Sequence, residues 1–373
     1  MYKLVCACLE KFFRQGRCYN IWPAAFCQRI GLLCFYSIPA FTLLLAACEK
    51  PLRLPYITPE LQHWPKPYRG VPGLRLHIFS TGKIELPAKV IYRDGSVLSK
   101  QTVDILVFAI DHPRQGLVLF GTGLNREIAN DTKHHGGNVL RTIGKPTMAK
   151  GQDILSQLRA AKLPVEKAHH LILPDLRFDH TGEVESFSTA QMIVASAEYD
   201  ATTDQEDQLS IASEYDQVRT WKFIDFAGAE PLGTFRAHRD LFGDGSVLLI
   251  DVAGATPGGI AALIRLPTGP VILCGNLAWT REQYFYPRLP GLLFDREAWW
   301  EKIWRLKKFK QLVPELIVLP DHDWAAVENV KTKDMVLHPF SDKLPSEENK
   351  ESKGERGPCK KCEKESGSHL LVD

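Results

Sequence analysis

The stretch Leu171-Ile-Leu-Pro-Asp-Leu-Arg-Phe-Asp-His-Thr-Gly182 places Asp175, Asp179 and His180 in one short polar loop, with Arg177 among them. Carboxylates beside an imidazole can move protons in hydrolysis. They can also give oxygen and nitrogen donors to a divalent ion. Hydrolysis without a metal would rest on Asp175, Asp179 and His180, but no activated nucleophile is visible to complete it. A second chemical spacing is Cys359-Lys-Lys-Cys362, with His369 nearby. Zinc fingers normally need four ligands, and no fourth is close, so the expectation is a flexible tail with incidental thiols. His134 and His135 precede two glycines and read as a solvated turn. His169 and His170 read as structural.

A reactive loop needs a rigid strand before it and a helix after it. The apolar run at 170–174 reads as that strand. Val103–Ile110 and Leu117–Phe120, joined by a Pro/Gly turn, predict a hairpin. Ile154, Leu155, Leu158 and Ala161 recur at helical spacing. Met192–Ala195 reads as a further strand, with a helix starting near Ser196. Strands are then expected at Gly233–Ala237, Ser246–Val252, Gly259–Leu266, Val271–Cys274 and Leu316–Leu319, with a helix over Asp295–Gln311. The tryptophans of that helix read as packing residues.

The chain has 373 residues, 45% hydrophobic and 24% charged, which is the balance of a globular protein. Its net charge is +2, so no nucleic-acid partner is expected. Six of the nine cysteines lie in the first 48 residues, and Cys274 stands alone in the body. A disulfide scaffold is therefore excluded for the core. Lys3, Lys11, Arg14, Arg17 and Arg29 precede an apolar run ending Leu45-Ala-Ala-Cys48. That pattern predicts a secretory signal over 1–47. Its ending resembles the lipobox of bacterial lipoproteins, in which the cysteine is acylated. The resemblance implies lipidation at Cys48 and a bacterial cell-envelope location on a lipid membrane. Six prolines over 51–72 predict an extended tether across 48–73. A single domain is expected over 74–340. The segment 341–373, rich in charge, reads as a disordered tail.

Five ordered motifs resemble the metallo-β-lactamase superfamily. The loop at 171–182 resembles its metal-binding loop. Phe120-Gly-Thr-Gly-Leu124 resembles its early Asp-Thr-Gly turn, and Gly254-Ala-Thr-Pro-Gly-Gly259 its Gly-His-Thr-Pro-Gly-His turn. Val271-Ile-Leu-Cys-Gly-Asn276 resembles the strand ending in Gly-Asp, and Pro320-Asp-His-Asp323 the last ligand loop. The subgroup most similar is the N-acyl-homoserine lactone lactonases, through the run at 241–246 and Thr280-Arg-Glu282. The resemblance implies an α/β fold, the four-layer αβ/βα sandwich.

That family binds two zinc ions through His-x-His-x-Asp-His, a further histidine, a bridging aspartate and a final histidine. Asp179, His180 and His322 match. Asp175 and Arg177 stand at the first two histidine positions, Ala255 at the third and Asn276 at the bridging aspartate. Gly121 replaces the early aspartate, Gly259 the second histidine of the turn, and Trp279 a tyrosine. The resemblance therefore implies no metal or a single zinc ion, at Asp179, His180 and His322. A guanidinium stays charged, and about 4 Å from a divalent ion it repels by roughly 8 kcal/mol at an effective dielectric of 20. Arg177 is expected to pair with Asp179, Asp175 or both and replace the cation; the alternative turns it to solvent. The expected function is a non-catalytic or impaired relative that keeps a pocket for a small molecule or protein; Trp279 and Tyr284 read equally as its apolar wall and as core residues. The alternative is a single-metal hydrolase of lactones or esters, with Asp179 catalytic.

Overall fold

The computed structural model describes residues 51–58, 60–131, 144–203 and 209–341. The signal over 1–47, Cys48, His134, His135 and the segment 342–373 lie outside the described residues. Seven strands come first: β1 (Arg75–Pro87), β2 (Lys100–His112), β3 (Gly116–Phe120), β4 (Lys145–Thr147), β5 (Ala168–Ile172), β6 (Gln191–Ala195) and β7 (Trp221–Ile224). Five more follow: β8 (His238–Asp240), β9 (Val247–Asp251), β10 (Ile260–Leu266), β11 (Gly269–Leu273) and β12 (Ile317–Leu319). The last, β13 (Met335–His338), returns to pair in parallel with β1.

These strands form two sheets. The first runs β13-β1-β2-β3-β5-β6-β7, with β4 on the far end of β1. The second runs β12-β11-β10-β9-β8. Alternation of side chains along each strand decides how the sheets stack. Ile78, Phe108 and Ile110 of the first sheet meet Leu249, Ile264 and Leu273 of the second in one buried cluster. The opposite face of the first sheet packs on α1 (Ile154–Ala160) through Phe79, Val107 and Leu119. The opposite face of the second packs on Trp299, Ile303, Leu306 and Phe309. The result is helix, sheet, sheet, helix, the expected four-layer α/β sandwich.

Local reasons fix the helices. Asp153 caps α1 by accepting from Ser156 N–H. Between β5 and β6 lies the one-turn α2 (Phe178–Thr181). After β6 comes α3 (Ser196–Thr203). The long helix α4 (Arg296–Leu312) is capped by Asp295, which accepts from Glu297 and Ala298 N–H. Its buried residues 299, 303, 306 and 309 follow helical spacing.

Two expectations need correction. Gly233–Ala237 is not a strand. Gly233 sits at φ +59°, which only glycine adopts readily, and Thr234 bonds the Arg305 carbonyl instead of a ladder. The strand begins at His238. Nor do residues 61–71 of the Pro-rich segment stand clear of the body. Gln62 bridges to Gly233, Trp64 packs edge-on against Phe309 and the Tyr68 hydroxyl donates to the Leu266 carbonyl at 2.7 Å.

Candidate metal centre

Four chain segments converge at one edge of the sandwich. They follow the ends of β5, β9, β11 and β12, and carry Asp175 to His180, Ala255, Asn276, and Asp321 with His322. The Ile260 N–H donates to the Pro174 carbonyl at 2.9 Å and the His322 N–H to the Trp279 carbonyl at 2.9 Å, so the segments brace one another. Glu198 adds a clasp from α3. Its carboxylate accepts from Leu176 N–H at 3.2 Å and Gly258 N–H at 2.8 Å. Burial pushes the Glu198 carboxyl up to about 7, and the nearby Asp175 charge adds to the effect.

Asp179, His180 and His322 come together. One donor atom from each lies within 4.8 Å of the others, and all three residues are buried. His322 holds its Nδ1 against the Asp104 carbonyl at 2.9 Å. Nδ1 is therefore the protonated nitrogen, which leaves Nε2 as the one facing Asp179 Oδ2, at 3.4 Å. Neither His322 Nε2 nor Asp179 Oδ1 has a hydrogen-bond partner among the described residues. His322 Nε2 and the Asp179 carboxylate are both electron-pair donors, and a cation between them would satisfy both. Two histidines and a carboxylate are a donor set suited to one divalent ion. The set fits one ion. Among the described residues, no second group of three such donors comes together.

His180 departs from a simple ligand. Its Nδ1 lies 2.8 Å from Asp175 Oδ1 and its Nε2 2.8 Å from Asp321 Oδ2. To bind an ion it must release one carboxylate. Burial disfavours a charged ring, but the charges of Asp175 and Asp179 and the two carboxylate bonds overcome it. They raise His180 well above its ordinary range. Asp175 moves the other way. Burial would raise it, yet the His180 charge and hydrogen bond, with Arg177, hold it below the usual carboxylate range. Asn276 completes the chain by donating Nδ2 to Asp175 Oδ2.

The other expected positions fall around this core. Arg177 is buried, so the solvent-facing alternative is overturned. Its main-chain N–H donates to Asp175 Oδ1 at 3.0 Å and its Nη2 to the Ala255 carbonyl at 3.2 Å. The cation bonded to both Asp175 and Asp321 is His180. Gly121 lies against the ring, where an added Cβ would sit 3.4 Å from His180 Cδ2. Trp279 packs edge-on against His322 at 5.0 Å. Arg177, Asp179, His322 and Trp279 line a cavity with Leu86 and Ile105, which leaves about 10 Å³ for a water-sized occupant. Tyr284 does not share this wall; it packs against the core cluster of the second sheet and lines a separate groove beside Trp304. Sequence reasoning missed Asp321 and Glu198. Asp321 had a signal in standing next to His322, whereas Glu198 is an ordinary acid in the first turn of a helix.

No family model matches the chain. It is 25% identical over 263 residues to the N-acyl homoserine lactonase AttM of Rhizobium radiobacter, covering 69% of this chain and 96% of that one. An N-acyl homoserine lactonase of Bacillus sp is 26% identical over 199 residues, covering 52% and 72%. Among solved structures, B. thuringiensis AiiA with N-decanoyl-L-homoserine at its active site superposes with a TM-score of 0.59 at 19% identity, over 69% of this chain and 97% of that one. The hydrolase AbOPH, of the beta lactamase superfamily, gives 0.50 at 15% identity, over 69% and 90%. The chain has the metallo-β-lactamase fold, and its curated sequence relatives are N-acyl homoserine lactonases.

Proposed function

We propose that this protein is a hydrolase of lactones or esters that works with one divalent metal ion at Asp179, His180 and His322. The convergence of those three donors, at the edge of a fold shared with lactonases, carries the reading. A bound zinc ion would supply Lewis-acid polarisation of the carbonyl and a water acidified toward neutrality. Asp179 borders the cavity with Oδ1 unpartnered among the described residues, placed to hold a proton of the attacking water. The buried Arg177 guanidinium lines the same cavity and orients a substrate oxygen. Leu86, Ile105 and Trp279 shield the reacting atoms from solvent. A lactone exceeds the space present, so its entry displaces part of this wall.

A second reading is a binding protein with impaired chemistry. The engagement of both His180 nitrogens by carboxylates favours it, as do Ala255 and Asn276 at former ligand positions. Zinc loading and lactone hydrolysis by the purified full chain decide between the two. The hydrolase reading expects about one zinc per chain and zinc-dependent ring opening, both lost in His322→Ala. Stoichiometric zinc without turnover, or no zinc, supports the second. We further propose that Cys48 is acylated and anchors the chain to a bacterial envelope membrane. Among the described residues no helix is long and apolar enough to cross one.

A further inference from the structure

A groove of about 630 Å³ opens between residues 54–57 and the C-terminal half of α4. Leu54, Tyr56, Phe285 and Trp304 give it an apolar and aromatic lining. Leu54 is 69% exposed, Tyr56 85% and Phe285 58%. Lys307, Lys308 and Lys310 add positive charge, and no acid is among its lining residues. Neighbouring Tyr286 extends the aromatic surface, its ring 5.3 Å from that of Phe285. None of these residues belongs to the metal centre.

We propose that this face docks on an anionic lipid surface. Tyrosine and tryptophan favour the headgroup level of a bilayer, where an apolar ring and a polar edge are both accommodated. Clustered lysines are attracted to anionic headgroups by about 1 kcal/mol each, or roughly fivefold in partitioning. Reach supplies the second argument. Leu54 follows Cys48 by six positions, so even a fully extended chain spans only about 20 Å. An acyl group on Cys48 would therefore hold the groove within about 20 Å of the membrane surface. The anchor and the docking face would act together, each supplying one of the two signals that stable attachment requires. The inference rests on the anchored reading given above.

Full-length protein in vesicles with brominated acyl chains tests it, because bromine quenches nearby tryptophans. One vesicle set is phosphatidylcholine alone, and the other adds phosphatidylglycerol. Quenching is expected to be about twofold greater in the anionic set and to revert at 1 M salt, where screening acts within about 3 Å. Most of that lipid-dependent gain should vanish in Trp304→Phe and in Lys308→Glu/Lys310→Glu. An unchanged gain in both variants overturns the proposal, as does equal quenching in the two vesicle sets. A lipid-independent soluble complex at this face overturns it too. Mass spectrometry of Cys48 reads the anchor separately: an unmodified thiol defeats anchoring, whereas an acylated one with no lipid-dependent gain defeats only the docking face.

Discussion

His180 is buried and carries a carboxylate on each ring nitrogen. Such a ring is held as an imidazolium, and its proton becomes part of the stability of the metal-free protein. Its value is raised above an ordinary 6.5, so its contribution is complete below 6.5 and is lost as pH rises through the raised value. Asp175 is lowered from an ordinary 3.8, so its contribution is present above 3.8 and is lost as pH falls through the lowered value. Together they place the greatest stabilisation between those two ordinary values. Chelator-treated protein should therefore melt at a lower temperature at pH 8.5 than at pH 6, with a slope of up to about 1.4 kcal/mol per pH unit. His180→Gln should flatten that slope and cost about 3–5 kcal/mol by leaving buried carboxylates uncompensated. A slope that persists in His180→Gln would assign the titration elsewhere. The family resemblance made Asp179, His180 and His322 legible, because their motifs keep order and spacing. Asp321 was not, since its partner lies 141 positions away. Arg177 announced a buried-charge problem, but its partners depend on where the Ala255 turn is folded.

Among the elements, the turn at 254–259 depends most on a single residue. Gly254 adopts φ +142°, and an added Cβ would lie 2.4 Å from the Trp299 backbone nitrogen. The turn and α4 approach so closely that only glycine fits. Gly254→Ala is expected to destabilise by more than about 2 kcal/mol. It should also lower zinc affinity, because Ala255 and Gly258 hold Arg177 and Glu198 through the same turn. Thermal melting and a zinc titration read the two effects. A milder test is Asp295→Ala, which removes the cap of α4 and should cost about 1 kcal/mol without altering zinc binding. Most elements could be read from the chain, since apolar periodicity marked the central strands and α4. The failure at Gly233–Ala237 has a simple cause. Its residues look strand-like in isolation, but a left-handed glycine and a side-chain bond from Thr234 to the Arg305 carbonyl keep the segment out of the sheet.

At the scale of the molecule, frame and site are separable. Two sheets close over apolar clusters, and of the positions that the family resemblance assigns to further ligands only Ala255 packs into one, as a small apolar residue. The frame should therefore accept a restored ligand set, but only as a set. Asp175 is bonded to both His180 and Asn276, so Asp175→His alone strips His180 of one carboxylate and Asn276 of its acceptor. That single variant should lose about 3–5 kcal/mol and gain no metal. Combining Asp175→His, Arg177→His, Ala255→His and Asn276→Asp removes the guanidinium, places a carboxylate at position 276 and supplies three imidazoles. The combined variant should melt above the single one and bind about one more zinc per chain than the native protein. Elemental analysis gives the stoichiometry, and cobalt substitution gives coordination bands that report nitrogen and oxygen donors. If the combined variant folds and binds no additional metal, the loops have moved as well as changed residues, and the separation of frame from site fails.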